Sequence, residues 1–374
     1  MGWYILSGRH VSFRVGKWST DFQTTVDVIQ DVLDGLSDPT GLPTGVTVIS
    51  NPCFLNDVGI EMSAGITPIV AIGVENIAAL EEFIVRAQNI RTRFTVQSQA
   101  AGATSGPIDF VHEIMKGATR LGTEVGQTLY HLPPYFLDFF VIAPQVGGTE
   151  IAKVWRVCAP FAFVRNLRWT QRPEDAAQIE ITWFVPYIRF ADIGTATPPM
   201  VQYNPSAGVF IVREVVFNAE VEAGTEDVLD LTTLSNQRIV TDFTIEINND
   251  LREVFTVSKG TDITTDKIRK TLRVFNGIFE GRSTITSNFT IVYPGGLSGS
   301  LNLALPQALK KISFTYYEAA GTGAYSGTPT PIYRLTLRMA KVLDSRVNFA
   351  MEQMITLGVT VQALDLDAEL RPTS

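Results

Sequence analysis

Ser50-Asn51-Pro52-Cys53-Phe54-Leu55-Asn56-Asp57-Val58-Gly59-Ile60-Glu61-Met62 and Ser235-Asn236-Gln237-Arg238-Ile239-Val240-Thr241-Asp242-Phe243-Thr244-Ile245-Glu246-Ile247 carry Ser, Asn, Asp, Ile and Glu in register. The apolar pattern continues beyond them, with Ile66, Ile69, Val70 and Ile72 falling on Leu251, Val254, Phe255 and Val257. Upstream, Arg9-His10-Val11-Ser12-Phe13 resembles Arg213-Glu214-Val215-Val216-Phe217. Downstream, Val154-Trp155-Arg156-Val157 resembles Ile332-Tyr333-Arg334-Leu335, and Ile179 to Val185 falls on Ile355 to Val361. Each match is short, and strands draw on a small alphabet. The information lies in the common order of the blocks and in offsets that drift as short insertions require. The pattern reads as an internal repeat.

The repeated blocks alternate apolar and polar residues, which is the period of a half-buried strand. The same alternation runs through Val209–Phe217, Phe243–Asn248, Thr271–Phe275, Phe289–Tyr293 and Tyr333–Met339, and Tyr135–Ala143 reads as a buried strand. Turn residues separate them: Asn248-Asn249-Asp250, Tyr293-Pro294-Gly295-Gly296 and Ala319 to Gly323. The expected fold is mainly β, two tandem antiparallel sandwich or barrel domains, each with a flanking helix. The first domain is expected over 1–195 and the second over 209–374. A Pro-rich linker over 196–208 joins them. The main expected helix covers about 75–90, with Ile77, Leu80, Phe83, Ile84 and Ala87 on one stripe. Shorter helices are expected over 108–121 and 265–272. An extra stretch at about 21–45 in the first half reads as a protruding arm or a surface hairpin.

The chain of 374 residues is 45% hydrophobic and only 18% charged, enough to bury a core in each half. Its net charge of -8 gives no broad basic surface for gripping nucleic acid. The N-terminus lacks a basic segment followed by an apolar core, and no uncharged apolar run is long enough to span a membrane. A reducing, non-membrane compartment is expected.

The residues for chemistry are sparse. His10, His112 and His131 lack metal-ligand spacing. Cys53 and Cys158 make no disulfide framework and read as buried thiols. The run Gly117 to Gly126 lacks the Lys-Ser/Thr of a phosphate loop and reads as a flexible loop. Asp27, Asp31, Asp34 and Asp38 lack the alternating oxygen ligands of a calcium loop. Asn288-Phe289-Thr290 has the form of a glycosylation sequon, without a secretory signal. No catalytic, cofactor-binding or metal residue is expected, nor a cofactor. Arg156 and Arg334 occupy equivalent repeat positions, and either they bridge subunits through carboxylates such as Glu61 and Glu246 or they are displayed at the surface.

Asp242 to Leu251, Arg273-Val274-Phe275-Asn276-Gly277-Ile278-Phe279-Glu280-Gly281 and the closing strands Ile332 to Leu366 resemble the major tail tube proteins of tailed bacteriophages. The resemblance is one of element order over Val209 to Leu366, and the first half joins it through the internal repeat. It implies a β domain with a flanking helix whose sheet lines a channel when subunits close into rings. It also implies rings that stack through a long loop, for which 21–45 is the candidate. Family members with one domain form hexameric rings, so a chain with two closes the same ring from three copies. The implied partners are other copies of the chain and further tail proteins (tape measure, baseplate hub, terminator and, in a contractile tail, a sheath). DNA would transit the lumen without specific binding, and the implied location is the virion tail after synthesis in the host cytoplasm. The alternatives are a tail hub or distal-tail protein, a β-sandwich binding module and a hydrolase. A binding module would cluster exposed aromatics in loops, whereas Trp3, Trp18, Trp155, Trp169 and Trp183 sit in or beside strand patterns.

Overall fold

The computed structural model describes residues 11–19, 41–50, 52–61, 88–98, 104–119, 132–144, 151–186, 188–199, 207–209, 215–221, 240–254, 277–292, 309–317, 330–348 and 355–372. These are mostly strands, in large antiparallel sheets. The first half contains β1 (Val11–Trp18), β2 (Val46–Val48), β3 (Phe54–Glu61), β4 (Gln88–Thr95), helix α1 (Pro107–Thr119), β5 (Tyr135–Pro144), β6 (Ile151–Gln171), β7 (Gln178–Val185) and β8 (Arg189–Asp192). The second contains β9 (Val215–Val221), β10 (Val240–Asn248), β11 (Leu251–Val254), β12 (Gly277–Glu280), β13 (Thr284–Val292), β14 (Lys310–Tyr317), β15 (Pro331–Asn348), β16 (Thr356–Ala363) and β17 (Asp365–Leu370).

The pairings repeat strand for strand. In the first half, β1 pairs β5, β5 pairs the beginning of β6, and β8 flanks β6. The end of β6 then crosses into a second sheet with β7, β4 and β3. In the second half, β9, β14, β15 and β17 repeat the first set, and β15, β16, β13 and β10 repeat the second. The irregularities repeat too. β6 is bulged between Val164 and Asn166 against β7, and β15 between Val342 and Asp344 against β16. β3 is bulged between Leu55 and Asp57, and β10 between Val240 and Asp242. A bulge adds one unpaired residue and bends its strand. Here it lets the 21-residue β6 and the 18-residue β15 each serve two sheets.

These registers test the alignment read from the sequence. Asp57 does fall on Asp242, Phe13 on Phe217 and Arg156 on Arg334. The last block is displaced. Trp183 pairs with Val164 and Val361 with Val342, so Trp183 corresponds to Val361 and Ile179 to Leu357, not to Ile355. The slip is two residues, which keeps every side chain on its own face, so alternation alone does not detect it.

The halves share a sheet. Residues 166–171 of β6 pair with 243–248 of β10, giving a continuous run β3-β4-β7-β6-β10-β13-β16-β15. One apolar cluster draws on both halves, from Phe13 and Phe94 to Phe314 and Leu366. At the junction Trp169 stacks on Tyr333 at 5.9 Å, and its indole N–H donates to the Tyr316 hydroxyl at 2.8 Å. That hydroxyl donates to Gln171 Oε1 at 3.3 Å. The buried Trp169 N–H and Tyr316 hydroxyl are thus partnered, as burial demands, whereas the buried Tyr333 hydroxyl has no hydrogen-bond partner among the described residues. Both ends of the expected 196–208 linker lie along the first half. Ser12 Oγ donates to the Pro199 carbonyl at 2.8 Å, and the Ser98 amide to the Gly208 carbonyl at 2.9 Å.

Helix α1 matches the expectation over 108–121. Pro107 occupies its first turn, where the missing N–H costs nothing. Asp109 near its start and Lys116 near its end complement the helix dipole. Its Ile108, Phe110, Val111, Ile114 and Met115 are buried. The helix packs on β17 of the other half, where Arg371 makes two hydrogen bonds to the Asp109 carboxylate at 3.0–3.1 Å. Gly117, expected in a flexible loop, belongs to this helix. A Cβ there would strike the Tyr135 ring, whose hydroxyl donates to the Glu113 carbonyl at 2.9 Å. The expected helix over 75–90 ends differently, because Gln88 to Ile90 already belong to β4. The alternation Ile90, Thr92, Phe94 into the core overrides the helical stripe at that end. Residues 62–87, the expected helix over 265–272 and the second half's β13–β14 connection lie outside the described residues.

Candidate assembly interface

The continuous sheet has two faces. Into the core point Ile60, Phe94, Ile181, Trp169, Ile245, Phe289, Val359 and Val347. From the other face point threonines 95, 182, 170, 244, 286, 290 and 360 and asparagines 89, 166, 248, 288 and 348. Its carboxylates, Asp57, Glu61, Glu180, Asp242, Glu246 and Asp344, are interspersed with Arg91, Arg93, Arg165, Arg168 and Arg346. Glu180 lies 3.5 Å from Arg93 and 3.9 Å from Arg91. Asn166 Nδ2 donates to Glu246 Oε1 at 2.8 Å, and Thr360 Oγ1 to Asn288 Oδ1 at 2.7 Å. The face is polar and close to charge-balanced, without the basic stripe that grips phosphates.

This sheet ends in open edges. Among the described residues, no strand covers the side of β3 away from β4, or of 341–348 in β15 away from β16. Large apolar side chains are exposed on both: Phe54 on β3 at 51% and Leu343 on β15 at 44%. An uncovered strand edge presents backbone donors and acceptors that another chain can pair with.

The residues marked in the sequence fall elsewhere. Arg156 is buried with Asp138 and Arg14. Its Nε and Nη2 donate to the two Asp138 oxygens at 2.8 Å, and Arg14 Nε donates to Oδ2 at 2.8 Å. Both guanidiniums also donate to the Gly41 carbonyl, at 3.0 and 2.9 Å, and lie 5.5 Å from the Phe140 ring. Arg334 reaches Glu369 and Thr315 at 3.2 Å. Neither arginine faces Glu61 or Glu246, because both stand in the part of their strand that belongs to the other sheet. Among the arginines that do share the sheet with those carboxylates, Arg168 stands directly opposite Glu246, and Arg346 is its counterpart. The offset that relates Arg156 to Arg334 also relates Arg168 to Arg346, and that was the available signal in the sequence.

Neither Cys53 nor Cys158 is disulfide-bonded, and both are buried. Burial pushes the Cys53 thiol up to about 12, which leaves it protonated and unreactive at neutral pH. His112 is buried on α1 against the edge of Tyr333, and its Nδ1 has no hydrogen-bond partner among the described residues. Desolvation, aided by the Lys116 charge, lowers its pKa to about 4. Asn288 of the sequon points from the polar face of β13. Among the described residues, no three His, Cys, Asp or Glu side chains are grouped to hold a metal ion. No described helix is long and apolar enough to cross a membrane. His10, His131, the aspartates at 27–38 and residues 21–40 of the proposed arm lie outside the described residues. What is described of that segment includes Gly41, held by the two arginines, and it leads directly into β2, which pairs with β1.

The fold and its edges define a mainly β protein of two repeats that share one sheet. No protein-family model matches the chain, and no curated protein matches it.

Proposed function

We propose that this chain is a structural virion protein that polymerises into stacked rings forming a phage tail tube, a channel for DNA ejection. A ring would hold three chains, because each chain supplies two of the six repeats. The observation that carries the reading is the continuous sheet: it joins two equivalent repeats side by side, is open at both ends among the described residues, and presents one mostly polar face. Such a sheet continued from chain to chain encloses a polar channel and buries its apolar face in the wall. The threonines and asparagines of that face, with arginines offset by carboxylates, suit a surface along which DNA slides without adhering. The resemblance of 209–366 to tail tube proteins points the same way.

Electron microscopy of the purified full chain at high concentration tests the proposal. Long hollow tubes are the expected result. Isolated rings that never stack favour a tail hub or distal-tail protein. Persistent monomers remove both.

A further inference from the structure

The continuous sheet contains one junction between repeats, β6 with β10, and its open edges are the counterparts of those two strands. β3 corresponds to β10, and 341–348 of β15 to 163–170 of β6, with shared bulges fixing both alignments. We propose that 341–348 of one copy pairs antiparallel with β3 of the next in the register of the internal junction, Arg346 opposite Glu61. We further propose that this copy-to-copy junction is a weakened version of the internal one. The inference rests on the self-assembly part of the reading above and not on stacking or on DNA.

The internal junction supplies the register. Arg168 stands directly opposite Glu246 and Trp169 opposite Ile245. Moving each residue to its counterpart sets Arg346 opposite Glu61 and Val347 opposite Ile60. Arg346 and Glu61 are exposed and lack an ion-pair partner among the described residues. Val347 and Ile60 are half-buried, whereas Trp169 and Ile245 are fully buried. Pairing the edges would therefore match opposite charges on the polar face and cover apolar area on the other.

Three substitutions make the second junction weaker. Trp169 is replaced by Val347 and Leu167 by Ser345, which reduces the apolar area that pairing removes from water. Asn166, which donates to Glu246, is replaced by Asp344. A carboxylate has no proton to donate and adds a like charge diagonal to Glu61. The internal junction thus forms within each chain as it folds, and the weaker one joins chains that are already folded.

The test uses the full chain carrying Ile60→Cys and Val347→Cys, treated with a short thiol-to-thiol cross-linker and separated under denaturing conditions. Ladders of two and three chains are expected, and none from the unsubstituted chain, whose cysteines are buried. Asp344→Asn restores the internal junction's donor and should lower the concentration for half-assembly roughly two- to five-fold. Arg346→Glu should raise it, and Glu61→Arg combined with Arg346→Glu should bring it back. Assemblies that form without a 60–347 cross-link overturn the register and leave the tube reading standing. Cross-linked rings that never stack do the reverse. An Asp344→Asn chain that assembles no more readily than wild type overturns the weakening, and persistent monomers overturn all of it.

Discussion

Asp138→Ala removes the centre of the buried cluster that ties β1, β5 and β6 to Gly41. Asp138 is 0% exposed, and its carboxylate accepts three hydrogen bonds of 2.8 Å from Arg14 and Arg156, themselves 8% and 1% exposed. Without it, both buried guanidiniums lose their shared carboxylate, while their contacts with the Gly41 carbonyl and the Phe140 ring remain. Removing one partner of a buried ion pair costs about 3–5 kcal/mol, because the remaining charge stays desolvated and uncompensated. The upper part of that range applies, since one deletion removes the carboxylate from two buried cations. Equilibrium unfolding in urea, followed by tryptophan fluorescence, measures the loss. The cost belongs to the buried charges deprived of their carboxylate and not to the missing side chain, so Arg14→Met/Asp138→Leu/Arg156→Met should recover most of it. A loss below about 1 kcal/mol for Asp138→Ala, or a triple variant as unstable as the single one, would refute the reasoning.

Two further outcomes follow from the core and the helix. Tyr316→Phe strands the buried Trp169 N–H and Gln171 Oε1, and should destabilise the chain by about 1–3 kcal/mol in the same unfolding measurement. His112 holds a folded pKa of about 4 against an ordinary 6.5, so the folded chain refuses a proton that the unfolded chain accepts. Its contribution is whole above pH 6.5 and declines as the pH falls toward 4, by about 2–3 kcal/mol. The stability of His112→Leu should fall less than that of wild type across this window, as unfolding curves at stepped pH would show.

Much of this was legible in the sequence because strands write their burial into alternation. Phe243, Ile245 and Ile247 point inward and Thr244 and Glu246 outward, as the pattern requires. Helix α1 was legible as a short helix over 108–121, close to its actual span Pro107–Thr119. The interface was less so. The sequence offered Glu61 and Glu246 correctly as equivalent carboxylates but matched them with Arg156 and Arg334. An arginine in a strand pattern carries no mark of which of two sheets its segment serves. That depends on the bulges at Val164/Asn166 and Val342/Asp344, which split β6 and β15 between sheets. Asn249 was legible only as a turn residue. In the structure it is fully buried and donates to the Ala118 and Val164 carbonyls, fastening the second half to the first.

By itself, then, the sequence determined the mainly β character, the repeat with its equivalences of Asp57 with Asp242 and Arg156 with Arg334, and the face each strand residue takes. These follow from local periodicity and from residue identity, which the chain carries wherever it folds. Only the tertiary structure decided that β6 pairs with β10, that α1 packs on β17, that the last repeat block is shifted by two, and that β3 and the end of β15 are left as edges among the described residues. Strand pairing is made by backbone groups that every residue shares, and a two-residue slip preserves the alternation. The choice among pairings therefore rests on contacts between residues far apart in the chain, which no local pattern records.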